Sequence, residues 1–197
     1  MVNYMNSLII SILLVGALLM HSISLNAESE SPNKNLQEAR LLVKTFGGDL
    51  KSVLTTAMKV GGPIKALEVC NLQAEPIAEK ISSSSGWHVG RTSLKVRNID
   101  NEPDEWELKT LLEFESRKAA GEELNKLEYS EVINDGNKTV LRYMKPIPTV
   151  GLCVTCHGNV LNDDLSKKVK LLYPSDKATG FNVGDIRGAF SLQKVIK

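Results

Sequence analysis

The chain has 197 residues, of which 24 are lysine or arginine and 23 are aspartate or glutamate. This length suffices for one domain with a single hydrophobic core. The near balance of charge argues against a nucleic-acid-binding protein, which would carry a basic excess.

The N-terminal region, residues 1–27, contains no charged side chain and includes an apolar run over residues 8–20. The small polar tract that follows ends at Ala27, which predicts a signal peptide over residues 1–27, cleaved after Ala27. The alternative is an uncleaved N-terminal anchor, because residues 8–25 approach the length of a membrane span. Both interpretations predict an exported, periplasmic protein that touches the membrane only through this segment. Residues 28–35 are predicted to be a flexible tether and residues 36–197 a single domain.

Two helices are predicted at the start of that domain. Apolar residues recur every three or four positions over residues 36–60, which indicates an amphipathic helix ended by Gly61 and Gly62. A second helix is predicted over residues 64–82, with Cys70 on its apolar stripe. Pro76 lies inside this second helix and is expected to kink or split it.

The rest of the domain is predicted to contain strands and shorter helices. Residues 87–97 indicate a strand, a helix follows Pro103 and ends at Gly121, and residues 134–137 indicate a hairpin turn. Pro146 and Pro148 are expected to end the second hairpin strand, so that residues 145–152 form a loop. A short helix capped by Asp163 or Asp164 and a final strand over residues 188–196 complete the chain. This order predicts an α+β fold, an antiparallel sheet of about four or five strands with helices packed on one face.

The strongest motif is Cys153-Val154-Thr155-Cys156-His157, a C-x-x-C-H pattern. It is the attachment signal of a c-type haem, in which both thiols bond the porphyrin and the histidine becomes the proximal iron ligand. The plainer alternatives are a disulfide and a zinc knuckle, but zinc usually needs a second Cys/His pair at ligand spacing. The motif therefore predicts one covalently attached haem c.

The residues alone leave the second axial ligand open. The candidates are Cys70, His88, Met58 and Met144. Cys70 is the odd thiol among three cysteines, yet free cysteine is often a small core residue, and the helical pattern favours that interpretation. Separately, Arg91 and Arg97 are candidate partners of the haem propionates, although solvated strand positions explain them equally well.

Four separated segments resemble one family in the same order. They are residues 66–78, 90–107, 153–158 and 173–188, with Val69-Cys70-Asn71 in the first and Arg91-Thr92-Ser93 in the second. Over residues 36–195 the chain resembles the exported bacterial c-type haem domains with a PAS-like fold and His/Cys axial ligation. This resemblance implies a PAS-like antiparallel sheet with flanking helices, and it implies Cys70 as the ligand opposite His157.

A thiolate ligand would stabilise Fe(III) and give a low reduction potential. With both axial positions filled, substrate does not reach the iron, so the expected function is electron transfer or redox or ligand sensing through an unidentified partner protein. The alternative is a peroxidase- or reductase-like haem enzyme in which the cysteine dissociates. No catalytic triad or paired-carboxylate site stands out in the sequence, so an enzyme is not expected.

Overall fold

The computed structural model describes residues 32–197. The predicted signal peptide or anchor at residues 1–27 therefore lies outside the described residues, as do residues 28–31 of the predicted tether. Residues 32–35 belong to the first helix, which begins at Pro32, a residue suited to the first turn because it lacks a backbone N–H. Within residues 32–197, no helix is both long and apolar enough to cross a membrane.

The elements follow one another along the chain with short connections. They are α1 (Pro32–Ser85), β1 (His88–Thr92), a 3-10 turn (Ile99–Asn101), α2 (Glu105–Ala119), β2 (Tyr129–Asp135), β3 (Lys138–Pro148), α3 (Gly151–His157), α4 (Asp163–Leu172) and β4 (Ile186–Val195).

The four strands form one antiparallel sheet in the order β1-β4-β3-β2, which confirms the predicted α+β fold. Alternate residues of a strand point to opposite faces. Tyr143 and Leu192 pack against Phe46 of α1, whereas Met144 packs against Phe114 of α2 on the other face. Helices therefore cover both faces of the sheet, and the prediction that they pack on one face is wrong.

The long helix α1 consists of two arms that meet at Gly61 and Gly62. Gly62 has φ 67°, a conformation that glycine adopts without steric cost, so the two predicted helices are confirmed as the arms of α1. Pro76 does not split the second arm, because only the two glycines depart from helical dihedral angles. Because Pro76 has no N–H group, the carbonyl of Leu72, four residues earlier, receives no helical hydrogen bond from it. Leu72 is exposed, so water can solvate that carbonyl.

Strand β3 runs through both prolines, so the predicted loop over residues 145–152 is wrong. Strand β2 pairs with β3 only as far as Met144, and beyond that residue β3 has β4 as its single neighbour. Pro146 and Pro148 therefore occupy an edge segment, where a missing N–H does not break a central ladder. A register shift between Ile147 and Pro148 then ends the strand just before α3.

Helices α2 and α4 start with side-chain caps, whereas α3 does not. Asp104 caps α2 and forms a capping box with Glu107, which confirms the helix predicted after Pro103. Asn162, rather than Asp163 or Asp164, caps α4 by accepting a hydrogen bond from the Leu165 N–H. Strand β1 is shorter than predicted, and β4 begins two residues earlier, at Ile186.

Candidate functional site

The C-x-x-C-H motif occupies the helix α3, directly after the edge segment of β3. Cys153, Cys156 and His157 are three and four positions apart, so they lie on one side of this helix. Both cysteines are free and half-buried. The following Gly158 ends the helix, and a Cβ atom there would lie 2.5 Å from the Val154 carbonyl oxygen, which explains why glycine stands at this position.

His157 is half-buried and held in one orientation by a backbone carbonyl. Its Nδ1 lies 2.7 Å from the Ala178 oxygen. A carbonyl oxygen can only accept, so Nδ1 carries the proton and Nε2 keeps a free lone pair. Burial, with the nearby charges of Arg187 and Arg97, lowers the pKa of His157 to about 2. The imidazole is therefore neutral, which is the state that binds a metal ion.

The segment over residues 173–185 wraps around the end of α3. The Phe181 N–H donates to the His157 carbonyl at 2.9 Å, and the Gly180 N–H donates to the Gly158 carbonyl at 3.1 Å. The Phe181 ring meets the His157 ring edge to face, with centroids 6.2 Å apart. This segment therefore sets the position of the histidine.

A buried ion pair ties this segment to the residues after β1. Arg97 Nε lies 3.0 Å from Asp176 Oδ1, and only 9% of each side chain is exposed. Arg97 Nη2 also donates to the Cys156 carbonyl at 2.7 Å and to the Ala178 carbonyl at 3.1 Å. The same Ala178 carbonyl accepts the His157 proton, so Arg97 and His157 share one acceptor. Most donors of Arg97 are thus engaged by protein groups.

Cys70, on the second arm of α1, lies near the motif. It is half-buried, and burial raises the pKa of its thiol against the opposing charges of Arg91 and Arg97. Cys70 and Cys156 are close enough for the charge of the Cys70 thiolate to raise the Cys156 pKa, although burial is the larger cause of that rise. The fold therefore brings Cys70 towards the C-x-x-C-H motif from 83 residues upstream.

The other candidate ligands lie elsewhere in the fold. Met144 is fully buried against α2. His88 is exposed on β1 and points to the face opposite that of Val89, which packs under α1. Met58 lies in the first arm of α1, ahead of the break at Gly61.

Arg91 and Arg187 add further positive charge to the site. Arg91, on the same face of β1 as Val89, lies over the Phe46 ring at 5.9 Å, and burial lowers its pKa. Arg187 lies inside the segment 173–188 that resembles the family, but no role was predicted for it from the sequence. That segment was the signal that could have identified it. In the structure, the Arg187 guanidinium carbon lies 5.2 Å from the centre of the Phe181 ring. The His157 ring contacts the same Phe181 ring.

Two comparisons relate this chain to known proteins. A model of the Tll0287-like family matches residues 18–194. The structure is also similar to the crystal structure of the cyanobacterial haem-protein Tll0287, with a TM-score of 0.56 and 24% sequence identity, covering 81% of this chain and 91% of that chain. At this identity the structural likeness shows a shared fold. No curated protein is significantly similar to the chain.

Proposed function

Because the chain belongs to the Tll0287-like family, we propose that it is a haem protein, as Tll0287 is, and that it carries one covalently attached haem c. The family membership confirms the resemblance predicted from the four segments. The covalent attachment, the ligands and the role described below are our proposals.

The observation that carries the proposal is the geometry of His157. Its Nδ1–H donates to the Ala178 carbonyl, and its Nε2, which carries no proton, is left as a metal-binding atom. Cys153 and Cys156 stand on the same helix side, where the two thiols can form thioethers with the vinyl groups of one porphyrin. When bound, haem supplies one-electron Fe(III)/Fe(II) chemistry.

We assign Cys70 as the ligand opposite His157. Its support is its position on the second arm of α1, near Cys156, where burial raises the pKa of the thiol and the charges of Arg91 and Arg97 oppose that rise. An anionic sulfur ligand stabilises the ferric state, so the reduction potential should be low. Arg97, since it is bound to Asp176 and two carbonyls, is better explained as a residue that positions the site than as a propionate partner.

With both axial positions taken, the protein would act in electron transfer or in redox or ligand sensing. Either role requires a partner protein that accepts electrons or responds to the haem state. The apolar, uncharged residues 1–27 favour export to the periplasm, where haem c attachment takes place. The α+β fold is compatible with both roles and does not choose between them.

The test of the ligand assignment is Cys70→Ala in the full chain made together with haem-maturation machinery. A pyridine haemochrome assay should show thioether-linked haem in both wild type and variant. Cys70→Ala should shift the ferric spectrum and raise the midpoint potential by on the order of 0.1 V, since a thiolate is lost. The control is His88→Ala, which removes an exposed candidate ligand on the other face. An unchanged spectrum in Cys70→Ala, or a shifted one in His88→Ala, contradicts the assignment.

The second candidate is a haem enzyme, peroxidase- or reductase-like, in which Cys70 dissociates on reduction. The observation that favours an enzyme is the half-buried position of Cys70, which leaves its thiol partly accessible to solvent. Ferrous wild type mixed with CO at neutral pH distinguishes the two functions. Slow or absent CO binding supports the closed electron-transfer or sensing site, and rapid binding supports the enzyme.

A further inference from the structure

Arg187, at the start of β4, has a buried cationic group with neutral hydrogen-bond partners. Its Nη1 donates to the Ser93 hydroxyl at 3.1 Å and to the Lys95 carbonyl at 3.3 Å. Its Nε is buried and has no hydrogen-bond acceptor within residues 32–197. A buried donor without an acceptor costs about 1–3 kcal/mol, so such a group calls for a ligand or another explanation.

The charges around Arg187 make an anion the expected ligand. Burial, together with the positive charges of Arg97 and Arg91, lowers the pKa of Arg187 to about 10. Asp176 is the acidic group that opposes this effect, but its carboxylate already pairs with Arg97. Arg97 and Arg187 therefore share one buried carboxylate, and Arg91 adds a third positive charge whose own acidic neighbours are Cys70 and the exposed Glu75. Arg187 itself is therefore left without a carboxylate of its own among the described residues.

Arg142 shows how the fold treats a buried arginine that needs no ligand. Its Nε also lacks an acceptor, but its charge is compensated by Asp104 at 2.7 Å and Glu107 at 3.5 Å, and it lies over the Trp106 ring at 4.3 Å. Arg187 has a comparable aromatic contact with Phe181 but hydrogen bonds only to neutral groups. Of these two arginines, Arg187 is thus the one without a carboxylate ion pair among residues 32–197.

We propose that Arg187 binds a carboxylate side chain of the haem that His157 ligates, with Arg91 as the second cation of this anion site. Arg187 and His157 meet the same Phe181 ring, so a carboxylate at Arg187 lies beside the proximal ligand. Haem carries two such carboxylates, and one of them would supply the negative partner that Arg187 lacks. This inference rests on the proposed haem function and replaces Arg97 by Arg187 in the predicted pair of propionate partners.

The experiment is the pH dependence of the midpoint potential in the haem-loaded full chain. An arginine beside a carboxylate lowers the carboxyl pKa by about 1–3 units. In Arg187→Gln, the pH range over which the midpoint potential changes should therefore lie about 1–3 pH units higher than in wild type. Arg187→Lys, which keeps the charge but loses the planar group, should move it less. Arg117→Gln removes an arginine from an exposed pair with Glu122 and controls for net charge, so its profile should match wild type. An unmoved profile in Arg187→Gln overturns the proposal.

A redox-difference infrared titration of wild type supplies a second measurement that needs no variant. The cofactor carboxylate should stay ionised below the ordinary carboxyl pKa of about 4, and protonation at or above that pH overturns the proposal. Acetate or chloride added at constant ionic strength should leave the potential unchanged. A saturable shift would instead assign the site to a free anion. Absence of attached haem in wild type refutes the proposed function itself, whereas attached haem with an unmoved Arg187→Gln profile refutes only the role of Arg187.

Discussion

Replacing Asp176 by asparagine removes the one carboxylate that compensates Arg97 in the buried pair beside the motif. The Nε–Oδ1 distance is 3.0 Å and each side chain is 9% exposed, so solvent does not take over the lost charge. Breaking a buried pair by removing one partner costs about 3–5 kcal/mol, because the remaining charge stays buried and unmatched. Arg97 and Arg187, whose positive charges repel each other, would then both lose the negative charge of Asp176. We expect Asp176→Asn to lower the free energy of unfolding by about 3–5 kcal/mol.

Urea unfolding of the full chain, followed by circular dichroism at a helical wavelength, measures this loss. The matched control is Glu102→Gln, which breaks the ion pair with Lys177, whose side chains are 52% and 62% exposed. An exposed pair is worth about 0–1 kcal/mol, so the control should stay within that range. If Asp176→Asn lowers the free energy of unfolding no more than Glu102→Gln does, the Arg97–Asp176 pair does not stabilise the segment that holds His157.

Two further predictions concern the motif helix and the acid stability. Gly158→Ala should lower the free energy of unfolding by about 1–3 kcal/mol in urea unfolding, because its Cβ would meet the Val154 carbonyl at 2.5 Å, whereas Gly151→Ala, with open space, should change it little. The hydrogen bond from Arg40 lowers the pKa of Glu128 below its ordinary 4.5, so Glu128 stabilises the fold above pH 4.5 and this contribution disappears as the pH falls from 4.5 through the lowered value. Thermal unfolding midpoints from pH 6 to pH 3 should therefore fall less steeply in Glu128→Gln than in wild type, and parallel curves would contradict this.

Local sequence patterns predicted most of the secondary structure. The glycine pair that divides α1, the acidic start of α2 and the hairpin turn between β2 and β3 depend on dihedral preferences and capping groups within a few residues of each other. The end of β3 was mispredicted because a strand tolerates a proline where no neighbouring strand needs its N–H group, and excludes it where one does. The pairing of β3 with that neighbour, β2, ends where Tyr129 lies opposite Met144, and the strand composition around Pro146 does not reveal this end.

The candidate functional site also combines features set by the local sequence with features set by long-range packing. The sequence by itself determined the three residues of the C-x-x-C-H motif, since their spacing on one helix side is a local property. The tertiary structure decided which arginine is paired and which is left unmatched. The partners of Arg97 lie 59 to 81 residues away, and Ser93, the partner of Arg187, lies 94 residues away. The acceptor that leaves Nε2 of His157 available is a carbonyl 21 residues further on. Packing of the whole chain brings these groups together, and no local periodicity carries that information.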